Sequence, residues 1–183
     1  KLSNRNPDDM ISSVRIENEE NKRSPLDFAL WKSAKPNEIY WNSPWGKGRP
    51  GWHIECSAMN YYHLGEQIDI HGGGRDLIFP HHENEIAQTE CLTGKPFAKY
   101  WVHNGLLKLN GQKMSKSLGN VISIQELLEK YGAEVIRFGI LQTNYKNDIN
   151  ITDNLFSEAE KHMLDFYKVL AEVEKLNINS SKL

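Results

Sequence analysis

QIDIHGGGRDLIFPHHENEIAQTECLTG, residues 67–94, decides the fold. QIDIH alternates in polarity and is β-branched, which predicts a short strand. It runs into Gly72, Gly73 and Gly74, and then into HHENEIAQTECLTG, which predicts a helix closed by Gly94. A strand, a glycine-rich turn and a helix make an α/β unit whose functional edge is the carboxyl end of the strand. Upstream, WHIECSAMNYYHLG starts a further helix. Downstream, WVHNGLLKLNG is a second strand pattern that ends in the loop QKMSKSLGN. SIQELLEKYG is a helix capped by Ser123 and stopped at Gly132. AEVIRFGIL and the long amphipathic TDNLFSEAEKHMLDFYKVLAEVEKL are helical by period, the latter capped by Thr152 or Asp153. From about residue 121 the pattern changes from α/β to nearly all α.

Before this block, residues 1–24 are polar and charged and read as a connecting segment, with one short strand at Ile11–Ile16. PLDFALWKSAKP is apolar and aromatic. Trp41, Trp45 and Trp52 then fall in a stretch punctuated by Pro44, Gly46, Gly48, Pro50 and Gly51, which predicts an ordered loop. With 39% hydrophobic and 25% charged residues, the 183-residue chain has the composition of a globular protein. No apolar run approaches the roughly 18 residues that a membrane span needs. Two cysteines make no disulfide framework and fit a reducing cytoplasm. With 22 basic against 24 acidic residues, any nucleic-acid partner must be met by local basic patches, not by a global field.

His81 and Glu85 lie four apart on a predicted helix, so both side chains face one way. Cys56 lies upstream, near the start of the other helix. Thiolate, imidazole and carboxylate are all zinc ligands, and a soft sulfur favours zinc over magnesium. His71, His82 and Glu83 offer the same chemistry, so the residues alone leave the ligand set open. Cys91, later on the same helix, reads as buried packing. Gly72, Gly73 and Gly74 allow close backbone approach to a ligand, without the dinucleotide spacing G-x-G-x-x-G; a triple glycine is more often only a tight turn. Asp76 is suited to an ammonium or a ribose hydroxyl, and equally to capping the helix. Lys113-Met114-Ser115-Lys116-Ser117, between Gly111 and Gly119, is a cationic loop of the kind that closes over a triphosphate.

KMSKS is the signature loop of class I aminoacyl-tRNA synthetases. GRPGWHIECSAM (48–59) and DIHGGGRDLIFPHHENEIAQ (69–88), with SPLDFALWK (24–32) and NSPWGKGRPGW (42–52) before them, resemble cysteinyl-tRNA synthetases in order and spacing. Asn144, Tyr145 and Lys146 stand where that family tends to show His-Tyr-Arg, and the Asn37–Tyr40 turn also departs from its pattern. The resemblance implies ATP-dependent activation of L-cysteine to cysteinyl-adenylate, with Mg2+, and transfer to the 3′ end of tRNA(Cys) in the cytoplasm. It implies one zinc ion per subunit, on Cys56, His81 and Glu85, that selects the substrate thiol. Trp52, His53, His71, Asp76 and His82 are implied to line the substrate pocket, with Asp76 on the ammonium. Lys116 and Lys113 are implied to serve the phosphates, with Gly72, Gly73 and Gly74 on the ATP side.

The implied fold is the second half of a Rossmann-like nucleotide-binding fold, then an α-rich stem-contact region and the start of a helical bundle. The expected boundaries are 1–24 linker, 25–107 catalytic half, 108–151 stem-contact region with the lysine loop, and 152–183 bundle. The family's histidine motif, its fourth zinc ligand and its anticodon-binding domain are not in this sequence. A piece of that extent is expected not to activate cysteine alone. The cysteine:glucosaminyl-inositol ligases share these motifs and the adenylate chemistry, and form the alternative family.

Overall fold

The structure, a computed structural model, describes residues 2–6 and 22–176. The strand expected at Ile11–Ile16 lies outside the described residues. The chain forms two compact units, residues 1–103 and 104–183.

In the first unit, β1 (Trp31–Ser33) pairs antiparallel with β2 (Gly48–Pro50), with Lys32 opposite Arg49. At β2 only an ordered loop was expected. Glycine makes the pairing feasible: a Cβ on Gly48 would lie 2.3 Å from the Lys32 carbonyl oxygen. Gly48 also exchanges both backbone hydrogen bonds with Trp41. Pro50, which has no N–H to contribute, ends the strand. Helix α1 (Trp52–Leu64) follows and stops at Gly65, where φ is +91°.

Strand β3 (Ile68–Gly74) is longer than QIDIH, because the three glycines belong to it instead of forming a turn. A Cβ on Gly72 would stand 3.0 Å from the Val102 carbonyl oxygen, and one on Gly73 would meet Leu77 and His82 at 3.0–3.1 Å. The glycines make room for neighbouring protein, and the backbone stays extended. A 3-10 turn (Arg75–Leu77) and a π-helical turn (Ile78–His82), broken by extended Phe79, lead to α2 (Glu83–Thr93). Gly94 closes α2 in the left-handed conformation, as expected. Strand β4 (Ala98–Asn104) is hydrogen-bonded to β3. Ile68 N–H donates to the Phe97 carbonyl, while Gly72 adjoins Val102. The two strands therefore advance together, and β3–α2–β4 is a parallel crossover unit. Ile68, Ile86 and Phe97 form its core, with Leu2, Ala98 and Trp101 packed against them.

In the second unit the single strand expected over WVHNGLLKLNG is two: it breaks at Gly105, where a Cβ would sit 2.0 Å from the Asn147 carbonyl oxygen, and resumes as β5 (Leu107–Leu109). β5 pairs antiparallel with β6 (Gln112–Lys113), so the lysine loop begins on a strand. β5 also pairs in parallel with β7 (Ile149–Ile151). This short strand was not expected in a stretch read as nearly all α after residue 121. Three residues are too few to show a period, and the β5 edge selects them.

α3 (Ile124–Tyr131) opens on the Ser123–Glu126 capping box. α4 (Ala133–Leu141) follows directly. Thr152, not Asp153, caps α5 (Asp153–Lys175), accepting from Leu155 N–H. Leu127, Ile151 and Phe156 are the buried core, and Phe156 lies against Gly139 of α4. Among the described residues no helix is long and apolar enough to cross a membrane.

Phe156 is 1% exposed and joins helix α5, strand β7 and helix α3. Phe156→Ala is expected to cost about 3–5 kcal/mol. Urea unfolding followed by far-UV circular dichroism checks this: the midpoint should fall with little change in slope.

Candidate metal centre and lysine loop

The first unit brings four histidines and a cysteine around one carboxylate. Helical spacing places His81, at the end of the π-helical turn, and Glu85, in the first turn of α2, on one face. α1 presents Cys56, and β3 presents His71 from its middle. Cys56, His81 and Glu85 offer ligand atoms that all lie within 4.8 Å of one another. His71, His82 and Glu85 form a second such group. Glu85 is common to both and is fully buried; His82 and His81 are 2% and 5% exposed.

Hydrogen bonds separate the two groups. His71 Nε2 donates to Glu85 Oε2 at 3.0 Å, since a carboxylate oxygen only accepts. Oε1 is buried without a hydrogen-bond partner and lies 3.7 Å from His81 Nε2. His81 Nδ1 is 2.8 Å from His53 Nδ1. A ligating His81 Nε2 needs its proton on Nδ1, and His53 accepts it there. His82 Nδ1 is likewise taken up by His103 Nε2, at 2.9 Å. His82 Nε2 is free as well, but it lies 3.9 Å from Oε2, the oxygen that His71 already occupies, whereas His81 Nε2 is on the side of the partnerless Oε1, in the group that Cys56 completes. Cys56 Sγ, His81 Nε2 and Glu85 Oε1 are thus the atoms left facing one another. A sulfur, a nitrogen and an orphaned carboxylate oxygen fit zinc, and a buried oxygen without a partner is what an absent cation would leave behind.

The electrostatics agree. Burial pushes the His81, His53 and His103 imidazoles below their ordinary pKa, and holds His82 at about 4. These rings are neutral at neutral pH, the form that ligates. Burial, then the Glu85 charge, pushes the Cys56 thiol up. A cation at the convergence point reverses that bias toward thiolate. Trp52 is 54% exposed and stacks on His81 at 4.1 Å and 15°.

The residues expected near this site fall out as follows. Trp52, His53, Cys56, His71, His81, His82 and Glu85 come together. Glu83 does not: its Oε1 accepts from Ser3 N–H at 2.6 Å. Cys91 is exposed, not buried packing, because α2 turns that face outward. Asp76 is exposed in the Arg75–Leu77 turn, and α2 opens at His82 without any side-chain cap, so Asp76 does not cap it. The sequence reading missed His103, which lies in a strand whose pairing only the fold sets. It also missed Gln88 and Ser57, which are hydrogen-bonded to each other beside Cys56.

In the second unit Lys113 ends β6, and Lys116 opens the 3-10 turn Lys116–Leu118. The Lys116 side chain lies outside the described part of the chain. Asn120, not singled out in the sequence, braces the loop from inside. Its Oδ1 accepts from Ser115 N–H at 2.8 Å, and its Nδ2 donates to the Lys113 carbonyl at 3.1 Å. Ser115 and Ser117 hydroxyls are 2.7 Å apart. The signal available was the asparagine following a left-handed glycine, Gly119, where φ is +65°.

With this geometry in hand, known proteins give a class. A family model for tRNA synthetases class I (C) catalytic domain matches residues 1–161, and the chain belongs to that family. It is 58% identical over 175 residues to the cysteine–tRNA ligase of Geotalea uraniireducens (strain Rf4), covering 96% of this chain and 35% of that protein. It is 57% identical over 182 residues to the cysteine–tRNA ligase of Thermodesulfovibrio yellowstonii, covering 98% and 37%. The chain thus spans little more than a third of the length of these curated relatives. Among solved structures, the Agrobacterium radiobacter K84 agnB2 LeuRS–tRNA–LeuAMS ternary complex matches at a TM-score of 0.56 and 18% identity. That match covers 73% of this chain and 21% of that one, and places the fold among synthetases.

Asn120→Ala removes both braces of the lysine loop. Hydrogen exchange read by mass spectrometry should show the Ser115 amide exchanging about tenfold faster or more. The helices α3 and α4 should keep their protection.

Proposed function

We propose that this chain is the thiol-selecting and phosphate-handling part of a synthetase that activates L-cysteine with ATP and transfers it to tRNA(Cys). The observation that carries the reading is the convergence of Cys56, His81 and the partnerless Glu85 oxygen in a chain whose curated relatives are named cysteine–tRNA ligases.

Cys56, His81 and Glu85 would hold zinc, which when bound supplies thiophilic binding that a serine hydroxyl cannot match. Near-isosteres of this kind are poorly separated by an apolar pocket, so selection at sulfur has a clear use. His71 orients Glu85 through Oε2, and His53 fixes the His81 tautomer through Nδ1. Trp52, stacked on His81, forms one wall of the substrate pocket, with His82 behind it. Asp76 is assigned to the substrate ammonium.

The parallel β3–α2–β4 unit is read as the second half of a Rossmann-like nucleotide-binding fold, with residues 25–107 as the catalytic half. ATP would lie at the carboxyl ends of these strands, near Gly72, Gly73 and Gly74. Lys113 and Lys116 would neutralise charge that grows on the departing pyrophosphate, with Mg2+ on the phosphates. Residues 108–151 would contact the tRNA stem, and 152–183 would begin a helical bundle. The setting is the cytoplasm.

Two outcomes test this in the full-length protein. Atomic absorption should find one zinc per chain, and Cys56→Ser should lower that occupancy by at least tenfold. Lys116→Ala should slow single-turnover adenylate formation about 10²-fold while leaving cysteine affinity within about twofold. A loss confined to cysteine affinity would remove the lysine from its role.

A further inference from the structure

The β1–β2 hairpin carries a charge arrangement that folding alone does not favour. Lys32 stands directly opposite Arg49 across the ladder. Gly51 N–H donates to the Leu30 carbonyl and Ala34 N–H to the Lys47 carbonyl. The pairs 30/51, 32/49 and 34/47 are therefore equivalent rungs, and alternate rungs share a face. Lys32, Arg49 and Lys47 accordingly emerge on the same side of the hairpin. Trp31, one residue out of step, belongs to the other side and packs near Trp45.

Like charges directly opposite one another destabilise a strand pair. Neither Lys32 nor Arg49 has an acidic partner among the described residues. The one acid between residues 31 and 52, Glu38, is engaged with the Lys35 amide. The segment thus carries four cations and one anion in a chain whose net charge is −2. Lys47 is held in place: its Nζ donates to Tyr40 Oη at 2.8 Å and sits 4.3 Å from that ring's centre. Tyr40, 45% exposed, lies beside these cations, whereas Trp41 pairs with Gly48 and belongs to the side of Trp31. Cations set around an exposed aromatic ring suit a single-stranded nucleic acid, whose phosphates meet the charges and whose bases can stack on the ring. The location is specific as well. β2 runs through Gly51 straight into Trp52, which stacks on His81, and the charge of Lys32 reaches His53.

We infer that Lys32, Lys47 and Arg49 form a phosphate-binding face that holds the backbone of the single-stranded 3′ end of a tRNA beside the candidate metal centre. The inference rests on the synthetase reading, which requires such an end to reach this site to accept the aminoacyl group. The face binds backbone phosphate, so it contributes affinity and register without reading bases.

The test uses the full-length protein and its tRNA. Lys32→Gln with Arg49→Gln should weaken tRNA binding about tenfold at low salt. It should also flatten the plot of log K against log salt by about 1.4, the value for two phosphates of a single strand. Lys32→Arg with Arg49→Lys should keep the wild-type slope. Cysteine-dependent pyrophosphate exchange should keep its wild-type KM for ATP in both variants. An unchanged tRNA affinity and slope in the neutralised variant would overturn the inference. So would a raised KM for ATP with intact tRNA binding, which would assign these cations to the nucleotide triphosphate. Should the double variant lose its near-UV circular dichroism, Lys32→Gln alone decides the matter, with half the slope change expected. Wild-type protein that exchanges no pyrophosphate would instead sink the synthetase reading, a result separate from the salt series.

Discussion

Everything near the site is arranged around a carboxylate that should not be where it is. Glu85 is fully buried, and taking an unpaired carboxylate out of water costs several kcal/mol. His71 relieves one of its oxygens. The other has no hydrogen-bond partner, which is why three separate elements matter: α1 delivers a thiol, the π-helical turn an imidazole, and β3 the histidine that steadies the acid. Without the parallel β3–α2–β4 packing of Ile68, Ile86 and Phe97 beneath it, that acid would simply turn to solvent.

The histidines do two kinds of work here. His81 faces the convergence point, whereas His53, His71 and His103 act through other side chains by taking up nitrogens or oxygens that would otherwise wander. Neutral imidazoles suit this, because each then has one donor and one acceptor and can pass orientation along a chain of contacts. Gly73 belongs to the same design. A Cβ there would press on the His82 ring at 3.1 Å.

How much of this could be read from the letters follows from the range of each interaction. His81 and Glu85 share a helix face because four residues make about one turn, and the sequence says so. Ser123 capping α3, Gly94 ending α2 and Gly132 ending α3 are equally local, and all were legible. Cys56 joined them only through the family resemblance, since nothing in its spacing requires α1 to lie against α2. The glycine run was misread because its neighbours, Val102 and His82, are remote in sequence. β7 was missed for the same reason: a parallel edge selected it. His103 and Asn120 matter through partners that only the folded chain supplies.

Trp52 lies on His81 at 4.1 Å, and all five tryptophans fall between residues 31 and 101. The first unit therefore carries the whole indole emission of the chain, while the second is dark. A ring lying face to face on an imidazole is an optical label already in position. Whatever changes the charge on that imidazole, proton or cation, changes the light that Trp52 returns, so the candidate centre can be watched in solution without attaching anything to it.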